Sequence, residues 1–139
     1  MSDERRVEVV TTIRAPQEKA FDAWLSPDRM ARFLCAFDSH VSDIAVDSRV
    51  GGAFRIVMSS ARGDFEHRGR YLEIDRPRRL RFTWISPATN GEETEVSVTF
   101  EAVGNDTRVS LVHVGLADDE QRSRHKAGWQ SILEKLQSS

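Results

Sequence analysis

The residues best suited to acid–base chemistry in this chain are its histidines. His113 shares one face of a predicted strand with Val109 and Leu111, because successive side chains of a strand point to opposite faces. A neutral imidazole there can donate or accept a hydrogen bond, either to a ligand or to structural partners, and the structural role is the expected one. His125 has the same two roles on a predicted helix, and a curved sheet would bring His67 near either residue.

Metal-binding and nucleophile motifs are absent from the sequence. No pair of histidines has the spacing of a motif such as HExxH, so no metal site is predicted. Cys35 and His40 would make a thiol nucleophile only if the fold paired them, and we expect a buried structural cysteine instead. Because no nucleophile elbow, phosphate loop or dinucleotide fingerprint is present either, we expect neither a catalytic nucleophile nor a cofactor.

Acidic and basic residues are interleaved along the central part of the chain. Glu66, Glu73 and Glu95 could include a general base, provided that one of them is buried with a raised pKa. Seven arginines lie between Arg62 and Arg81, however, and this pattern favours cross-strand ion pairs on an outer sheet face. This pairing, the formal net charge of −2 and the lack of an aromatic-interleaved basic motif argue against nucleic acid as a partner.

Large apolar side chains at alternating positions are the candidates for lining a binding pocket. For each one alone a filled core is the alternative, whereas the whole set favours a broad aromatic wall around an apolar ligand. Tyr71 adds a hydroxyl group that needs a partner when it is buried. With His113 and His125, the candidate ligand-binding residues are Phe54, Met58, Tyr71, Phe82, Trp84, Phe100 and Trp129.

The periodicity of the sequence predicts the elements that carry these residues. Residues 7–13 are rich in β-branched side chains and predict a strand, and two short helices follow it, beginning near Pro16 and Pro27. From residue 41 to 114 the pattern has a period of two and predicts about six strands joined by short turns, an antiparallel meander. Gly69 lies inside one of these strands, which indicates a bulge or a close backbone approach.

The longest helical pattern runs from Asp118 to Leu136 and is the only element long enough to cover such a sheet. Its first residue and Gln121 fit a capping box. Its second half has one apolar stripe, formed by Trp129, Ile132, Leu133 and Leu136. We expect this stripe to pack on the sheet, and we expect Arg122, His125 and Gly128 either to project beyond the sheet or to form one wall of a pocket.

The length and composition indicate a single α+β domain over residues 1–139. The sequence has no apolar run of about 18 residues and no long apolar segment near its N-terminus, so neither a transmembrane helix nor a secretory signal is predicted. One cysteine excludes an internal disulfide. A cytoplasmic protein is the simplest interpretation.

Several short segments follow one another across nearly the whole chain in an order typical of a known superfamily. They are Ala15-Pro16 with Phe21 and Trp24, Val50-Gly51-Gly52 with Phe54, GRYLEIDRPRRLRFTW from Gly69 to Trp84, Val98-Thr99-Phe100, Thr107-Arg108-Val109, His113-Val114-Gly115-Leu116, and Gly128-Trp129 with Leu133. This order resembles the START-like (SRPBCC, helix-grip) superfamily, and within it the domains related to the C-terminal domain of the activator of the heat shock protein 90 ATPase. One departure is Phe33-Leu34-Cys35, where many relatives carry tryptophans and a proline.

The resemblance implies a helix-grip fold like that of START and Bet v 1 proteins. Such a fold has a curved antiparallel sheet of six to seven strands wrapped around a long C-terminal helix, with two short helices after the first strand. The resemblance also implies a cavity between sheet and helix for a small hydrophobic or amphipathic ligand, but no one reaction. A cyclase or aromatase on the same scaffold is one alternative, and a chaperone-interacting module with a role in stress response is another.

Binding to a protein partner would require a particular property of the protein surface. A chaperone contact or a homodimer would require a contiguous exposed apolar patch, either on the outer face of the sheet or near Phe33 and Phe37. The sequence does not decide between these partners and a small ligand.

Overall fold

Seven antiparallel strands form one curled sheet, and a long C-terminal helix packs against it. The computed structural model describes residues 6–138. The strands are β1 (Val7–Ile13), β2 (His40–Val46), β3 (Ala53–Ser60), β4 (Gly63–Asp75), β5 (Arg79–Trp84), β6 (Thr94–Val103) and β7 (Asp106–Val114). The helices are α1 (Gln17–Asp22), α2 (Pro27–Phe33) and α3 (Asp119–Ser138), and a short 3-10 turn spans Pro87–Thr89.

The strand order is β1-β7-β6-β5-β4-β3-β2, so six strands form a meander and β1 joins its far edge beside β7. This arrangement confirms the α+β helix-grip fold predicted from the sequence, with two short helices after the first strand. Side chains alternate between the core and the outer face along the strands, as the period of two predicts. Within residues 6–138, no helix combines the length and the apolar character needed to cross a bilayer.

Gly69 allows β4 and β5 to approach each other closely. A Cβ atom at this position would overlap the carbonyl oxygen of Thr83 and lie 2.6 Å from the ring of Phe54. The pairing of β4 with β5 shifts register between Tyr71 and Glu73, next to this contact. The predicted close backbone approach at Gly69 is therefore confirmed, and the register shift is a bulge of the kind that bends a sheet.

The first turn of α3 is capped by the two residues that the sequence indicates. The backbone N–H of Gln121 donates to Oδ1 of Asp118 at 2.9 Å, and the side-chain Oε1 of Gln121 accepts from the N–H of Ala117 at 3.1 Å. This arrangement resembles a capping box whose return bond reaches one residue further back. It fixes the start of the helix, and so the position of the polar half of its buried face.

The outer face of the sheet carries a network of ion pairs. Arg55 pairs with Asp43 and Glu66, and Arg81 lies 3.7 Å from Glu73 and 3.8 Å from Glu95. The predicted cross-strand pairing is confirmed, and Glu66, Glu73 and Glu95 lie in this network. Exposed pairs of this kind contribute only about 0–1 kcal/mol each, so they add little to the stability of the fold.

The short helices close one end of the core. Phe21 and Trp24 pack against Phe100 of β6 with ring centroids 5.1 and 6.4 Å apart, and Trp24 also meets Phe33 of α2 at 5.1 Å. These four rings are almost fully buried. This end of the sheet is therefore filled, and any open space between sheet and α3 must lie at the other end.

Candidate functional site

A cleft of about 830 Å³ opens between the sheet and the first half of α3. Its volume lies within the range of about 300–1,000 Å³ that is typical of small-molecule sites. Strands β3, β4 and β5 form one wall, α3 forms the other, and the loop before β2 and the β3–β4 hairpin form the mouth. The lining residues that matter below are Phe37, Met58, Arg62, Phe65, His67, Trp84, Arg124, His125, Gly128 and Trp129.

Two tryptophans form the back wall of the cleft. The rings of Trp84 on β5 and Trp129 on α3 have centroids 5.0 Å apart and are inclined at 52°. Phe54 and Phe82 lie behind Trp84, with centroids 6.1 and 6.2 Å from its ring. The wall is therefore a broad aromatic surface backed by a packed core rather than two isolated side chains.

A buried chain of hydrogen bonds holds both tryptophans in place. The indole Nε1–H of Trp129 donates to Nδ1 of His113 at 3.0 Å, so the neutral imidazole carries its proton on Nε2. This Nε2–H donates to Oγ1 of Thr94 at 2.7 Å, and the Thr94 hydroxyl donates to the backbone oxygen of Trp84 at 2.6 Å. Each side-chain nitrogen and hydroxyl in this series of hydrogen bonds has a partner, so the side chain of Trp129 is linked to the backbone of Trp84.

His113 is fully buried behind this wall. Burial, with a smaller contribution from His125, lowers its pKa to about 3. The ring is therefore neutral at physiological pH, as the hydrogen bond from Trp129 requires. His113 has the hydrogen-bonded structural role that the sequence favours.

His125 lies beside His113 and faces the cleft. Their rings are perpendicular, with centroids 5.0 Å apart. The carbonyl oxygen of Gln121 lies 2.8 Å from Nδ1 of His125, which places the proton on Nδ1. Burial lowers the pKa of His125, and the Gln121 carbonyl opposes this shift. None of the hydrogen bonds among residues 6–138 uses Nε2, so this atom is a hydrogen-bond acceptor available to a ligand.

His67 is the second imidazole of the cleft. Its ring lies 5.2 Å from that of Trp84, and its Nδ1 donates to the carbonyl oxygen of Phe65 at 3.0 Å. Burial lowers the pKa of His67 to about 4, the charge of His125 acts in the same direction, and the carbonyls of Phe65 and Ile56 oppose it. The cleft therefore contains two neutral imidazoles that favour hydrogen-bond donors on a ligand.

Exposed aromatic and basic side chains surround the mouth of the cleft. Phe37 is 51% exposed and Phe65 is 39% exposed, although both rings are apolar. Arg62 lies 4.0 Å from Asp38, and Arg124 pairs with Glu120 one helical turn earlier. Both guanidinium groups are largely exposed, so they give the mouth a basic character that an acidic group on a ligand would match.

Four of the nine predicted ligand-binding residues line the cleft: Met58, Trp84, His125 and Trp129. The other five, Phe54, Tyr71, Phe82, Phe100 and His113, do not line the cleft, although Met58, Trp84 and Trp129 are about as deeply buried. Phe100 lies at the closed end beneath α1. Burial raises the pKa of Tyr71, so its hydroxyl stays protonated. Their contact with a ligand stays a prediction.

For Arg122 the sequence left two positions open, in a pocket wall or projecting beyond the sheet, and the structure leaves it out of the cleft wall. Its guanidinium turns away from the cleft, donating to the carbonyl oxygen of Leu116 at 3.2 Å and pairing with Asp119. A half-buried guanidinium needs acceptors, and the loop before α3 supplies them. His125 and Gly128 do line the cleft, so two of the three residues considered for the pocket wall lie there.

Phe37 and Phe65, which line the mouth of the cleft, were not among the candidate ligand-binding residues, and His67 was considered only as a neighbour of other histidines. The sequence does indicate the position of two of them. Alternate residues of a strand share one face, so counting back from Tyr71 by twos along β4 places His67 and Phe65 on the inner face. Phe37 follows the end of α2, where no periodicity applies.

Cys35 is buried, and no histidine or carboxylate of residues 6–138 forms a hydrogen bond with its thiol. Nζ of Lys135 donates to its backbone oxygen at 2.5 Å and lies 3.6 Å from its Sγ. His40 is exposed at the start of β2, and no hydrogen bond within residues 6–138 connects it to the thiol. This placement is the one expected of a structural cysteine.

Known proteins share this fold along nearly their whole length. The model of the family described as Activator of Hsp90 ATPase homolog 1-like protein matches residues 14–139. A crystal structure from Chromobacterium violaceum is 23% identical with a TM-score of 0.85, covering 97% of this chain and 96% of that one.

Two further solved structures carry the family name in their descriptions. The AHSA1 protein from Silicibacter pomeroyi is 27% identical, with a TM-score of 0.81 and coverage of 96% of this chain and 95% of that one. The AHSA1-like protein from Aeromonas hydrophila is also 27% identical, with a TM-score of 0.79 and coverage of 96% and 90%. No curated protein matches the sequence.

Proposed function

The chain belongs to the family of Activator of Hsp90 ATPase homolog 1-like proteins, and we propose that it binds a small aromatic, amphipathic ligand between its sheet and α3. The observation that carries this proposal is the wall of Trp84 and Trp129, whose rings face an open cleft of about 830 Å³. Trp84 and Trp129 are only 3% and 2% exposed, so a flat ring system would gain mainly by burying its own apolar surface in the cleft, at about 25 cal/mol per Å² before the costs of ordering are subtracted.

The polar groups of the cleft narrow the chemistry of the ligand. His67 and His125 are neutral, and each has a proton on Nδ1, so each offers Nε2 as an acceptor. A ligand hydroxyl group is the matching donor. Arg62 and Arg124 lie at the mouth, where an acidic group at the other end of the ligand would remain partly solvated. A hydroxynaphthoate with its hydroxyl and carboxylate at opposite ends has these features.

The three tryptophans of the chain allow a direct test. Each indole N–H gives its own signal in a heteronuclear NMR spectrum, and Trp84 and Trp129 line the cleft whereas Trp24 lies beneath the short helices. On titration with hydroxynaphthoate we expect the Trp84 and Trp129 signals to shift with one saturation curve and the Trp24 signal to stay constant. Shifts confined to surface residues, or no shifts, would disprove the proposal.

The imidazoles also favour a second candidate function, an enzyme of the cyclase or aromatase kind. Such an enzyme needs a titratable group in its pocket, and His67 and His125 both line the cleft. A neutral imidazole with a free Nε2 can remove a proton from a carbon next to a ligand carbonyl. Tetralone, a bicyclic ketone with such protons, would exchange them for deuterium faster with wild-type protein than with His125→Phe. Equal exchange rates would contradict this candidate.

A chaperone-binding module has less support from the surface. Phe33 is buried, so the apolar area near α2 consists of Phe37 at the mouth of the cleft. The other large apolar side chains with high exposure among residues 6–138 are Val10, Val50, Phe65, Leu72, Val103 and Val114. Of these, Phe65 lines the cleft with Phe37, so the exposed aromatic surface is part of the proposed ligand site.

A further inference from the structure

Phe37 combines two unfavourable features at the mouth of the cleft. Its backbone is left-handed, with φ of 57°, and half of its side chain is exposed. Among the described residues other than glycine, only Asn90 shares a positive φ. Asparagine tolerates this conformation, whereas a bulky aromatic residue rarely adopts it. The exposure of the ring is not explained by packing within the described residues.

Contacts from α3 hold this segment in its conformation. The backbone N–H of Phe37 donates to Oγ of Ser131 at 2.8 Å, and Nζ of Lys135 donates to the Phe37 carbonyl oxygen at 2.6 Å. The turn itself is closed by a hydrogen bond from the N–H of Ser39 to the carbonyl oxygen of Ala36 at 3.1 Å. Strained conformations persist where the surroundings impose them, and such sites cluster at ligand clamps.

The same helix presents the wall of the cleft. Trp129 and His125 lie about half a turn to three turns before the anchors Ser131 and Lys135 on α3, so the wall and the mouth are positioned by one rigid element. A backbone that is fixed before the ligand arrives leaves only the side-chain torsions of Phe37 to be ordered on binding, which favours affinity.

We propose that Phe37 is a ligand-contacting residue, held in advance by Ser131 and Lys135, that packs its ring on the aromatic part of the ligand at the cleft mouth. This inference rests on the proposed function, because it requires a ligand in the cleft. Covering the exposed half of the ring would remove apolar surface from water, and an aromatic pair adds to this gain when the rings meet edge-to-face or offset.

The test is the substitution Phe37→Gly. Glycine adopts a positive φ without steric cost, and the backbone groups that bond to Ser131 and Lys135 remain. We expect the melting temperature to be unchanged or raised, because the strain is relieved and the lost ring was exposed. We expect the dissociation constant for hydroxynaphthoate, measured by fluorescence titration, to rise roughly three- to tenfold, in line with the loss of one aromatic contact.

Asn90→Gly is the matched control. It relieves the same backbone conformation at a residue that does not line the cleft, so its affinity for hydroxynaphthoate should equal that of the wild type. Equal affinity of Phe37→Gly and wild type would overturn the inference and leave the proposed function standing. A melting temperature that falls much further in Phe37→Gly than in Asn90→Gly would also overturn it, because the ring would then serve folding. Failure of the wild type to bind the probe would overturn both.

Discussion

The indole N–H of Trp129 donates to Nδ1 of His113 at 3.0 Å, and this bond joins α3 to β7, the strand next to β1, by a buried polar contact. It determines which ring nitrogen of His113 carries the proton, and through Thr94 it reaches the backbone of Trp84. The direction of the aromatic wall is therefore specified by hydrogen bonds, which have stricter geometry than apolar packing.

Replacing His113 should destabilise the protein strongly. In His113→Leu the indole N–H of Trp129 loses its acceptor, and a buried unsatisfied group costs about 1–3 kcal/mol, whereas the Thr94 hydroxyl keeps its bond to the Trp84 oxygen. We expect the free energy of unfolding to fall by about 1–3 kcal/mol in urea titrations. His40→Leu, at an exposed position, should have little effect. A His113→Leu variant as stable as the wild type would show that the chain of bonds contributes nothing.

The stability of the protein should fall on mild acidification. In the folded protein the pKa of His113 is lowered to about 3 and that of His67 to about 4 by burial, whereas both are near 6.5 in an unfolded chain. Below pH ~6.5 the unfolded state therefore binds more protons than the folded state, so stability is lost as pH falls toward these lowered values. Each histidine contributes a slope of up to about 1.4 kcal/mol per pH unit.

Urea titrations between about pH 5 and pH 7.5 measure this dependence, in a range where most exposed carboxylates are already ionised. His67→Gln should reduce the slope, because an imidazole whose pKa is lowered in the folded protein is removed. Stability that is constant over this range would contradict the neutral state of the buried imidazoles.

His125 should recognise a ligand hydroxyl group. In His125→Phe a flat ring is kept but the acceptor Nε2 is lost, and one hydrogen bond contributes about 0.5–1.5 kcal/mol. We expect the affinity for naphthol to fall roughly two- to tenfold and that for naphthoate, which lacks the hydroxyl, to change little. Fluorescence titrations of both ligands against both proteins form the complete comparison. An equal loss for the two ligands would indicate that the substitution only distorts the cleft.

Gly128 is a position where a larger residue should stabilise the fold. It lies in the interior of α3, where glycine costs about 1 kcal/mol relative to alanine. A Cβ atom there would meet Cβ of Ala36 at 3.7 Å, an ordinary contact. Gly128→Ala should raise the free energy of unfolding by about 0.5–1 kcal/mol, whereas Gly69→Ala should lower it, because its methyl group would overlap the backbone of Thr83. Both are measurable by thermal unfolding.

The fold could be predicted from the sequence because local periodicity determines most of it. Alternation over residues 41–114 gives consecutive hairpins, and the stripe from Trp129 to Leu136 gives the helix that covers them. The same alternation identifies the inner face of each strand but not how deeply each residue on that face is buried. Tyr71 and Phe65 share the inner face of β4, yet one is buried and the other lies at the mouth.

How deeply a residue of the inner face is buried depends on parts of the chain that are distant in sequence. The short helices fill the end of the sheet near Phe100, and so the cleft opens near Trp84, a difference that no pattern within a single strand contains. Phe37 was least accessible to prediction as a ligand contact, since its left-handed backbone is imposed by Ser131 and Lys135 of a helix that follows it by nearly a hundred residues.

The pairing of β1 with β7 has a consequence for the order of synthesis. Val7 lies opposite His113, so β1 meets its partner only after the intervening strands β2 to β6 have been made. The hairpins from β2 to β7 can form from neighbouring residues during translation, whereas β1 must wait with its edge unpaired. Pairing of β1 with the sheet therefore has to follow the synthesis of β7, and the docking of α3 beside β1 comes later still.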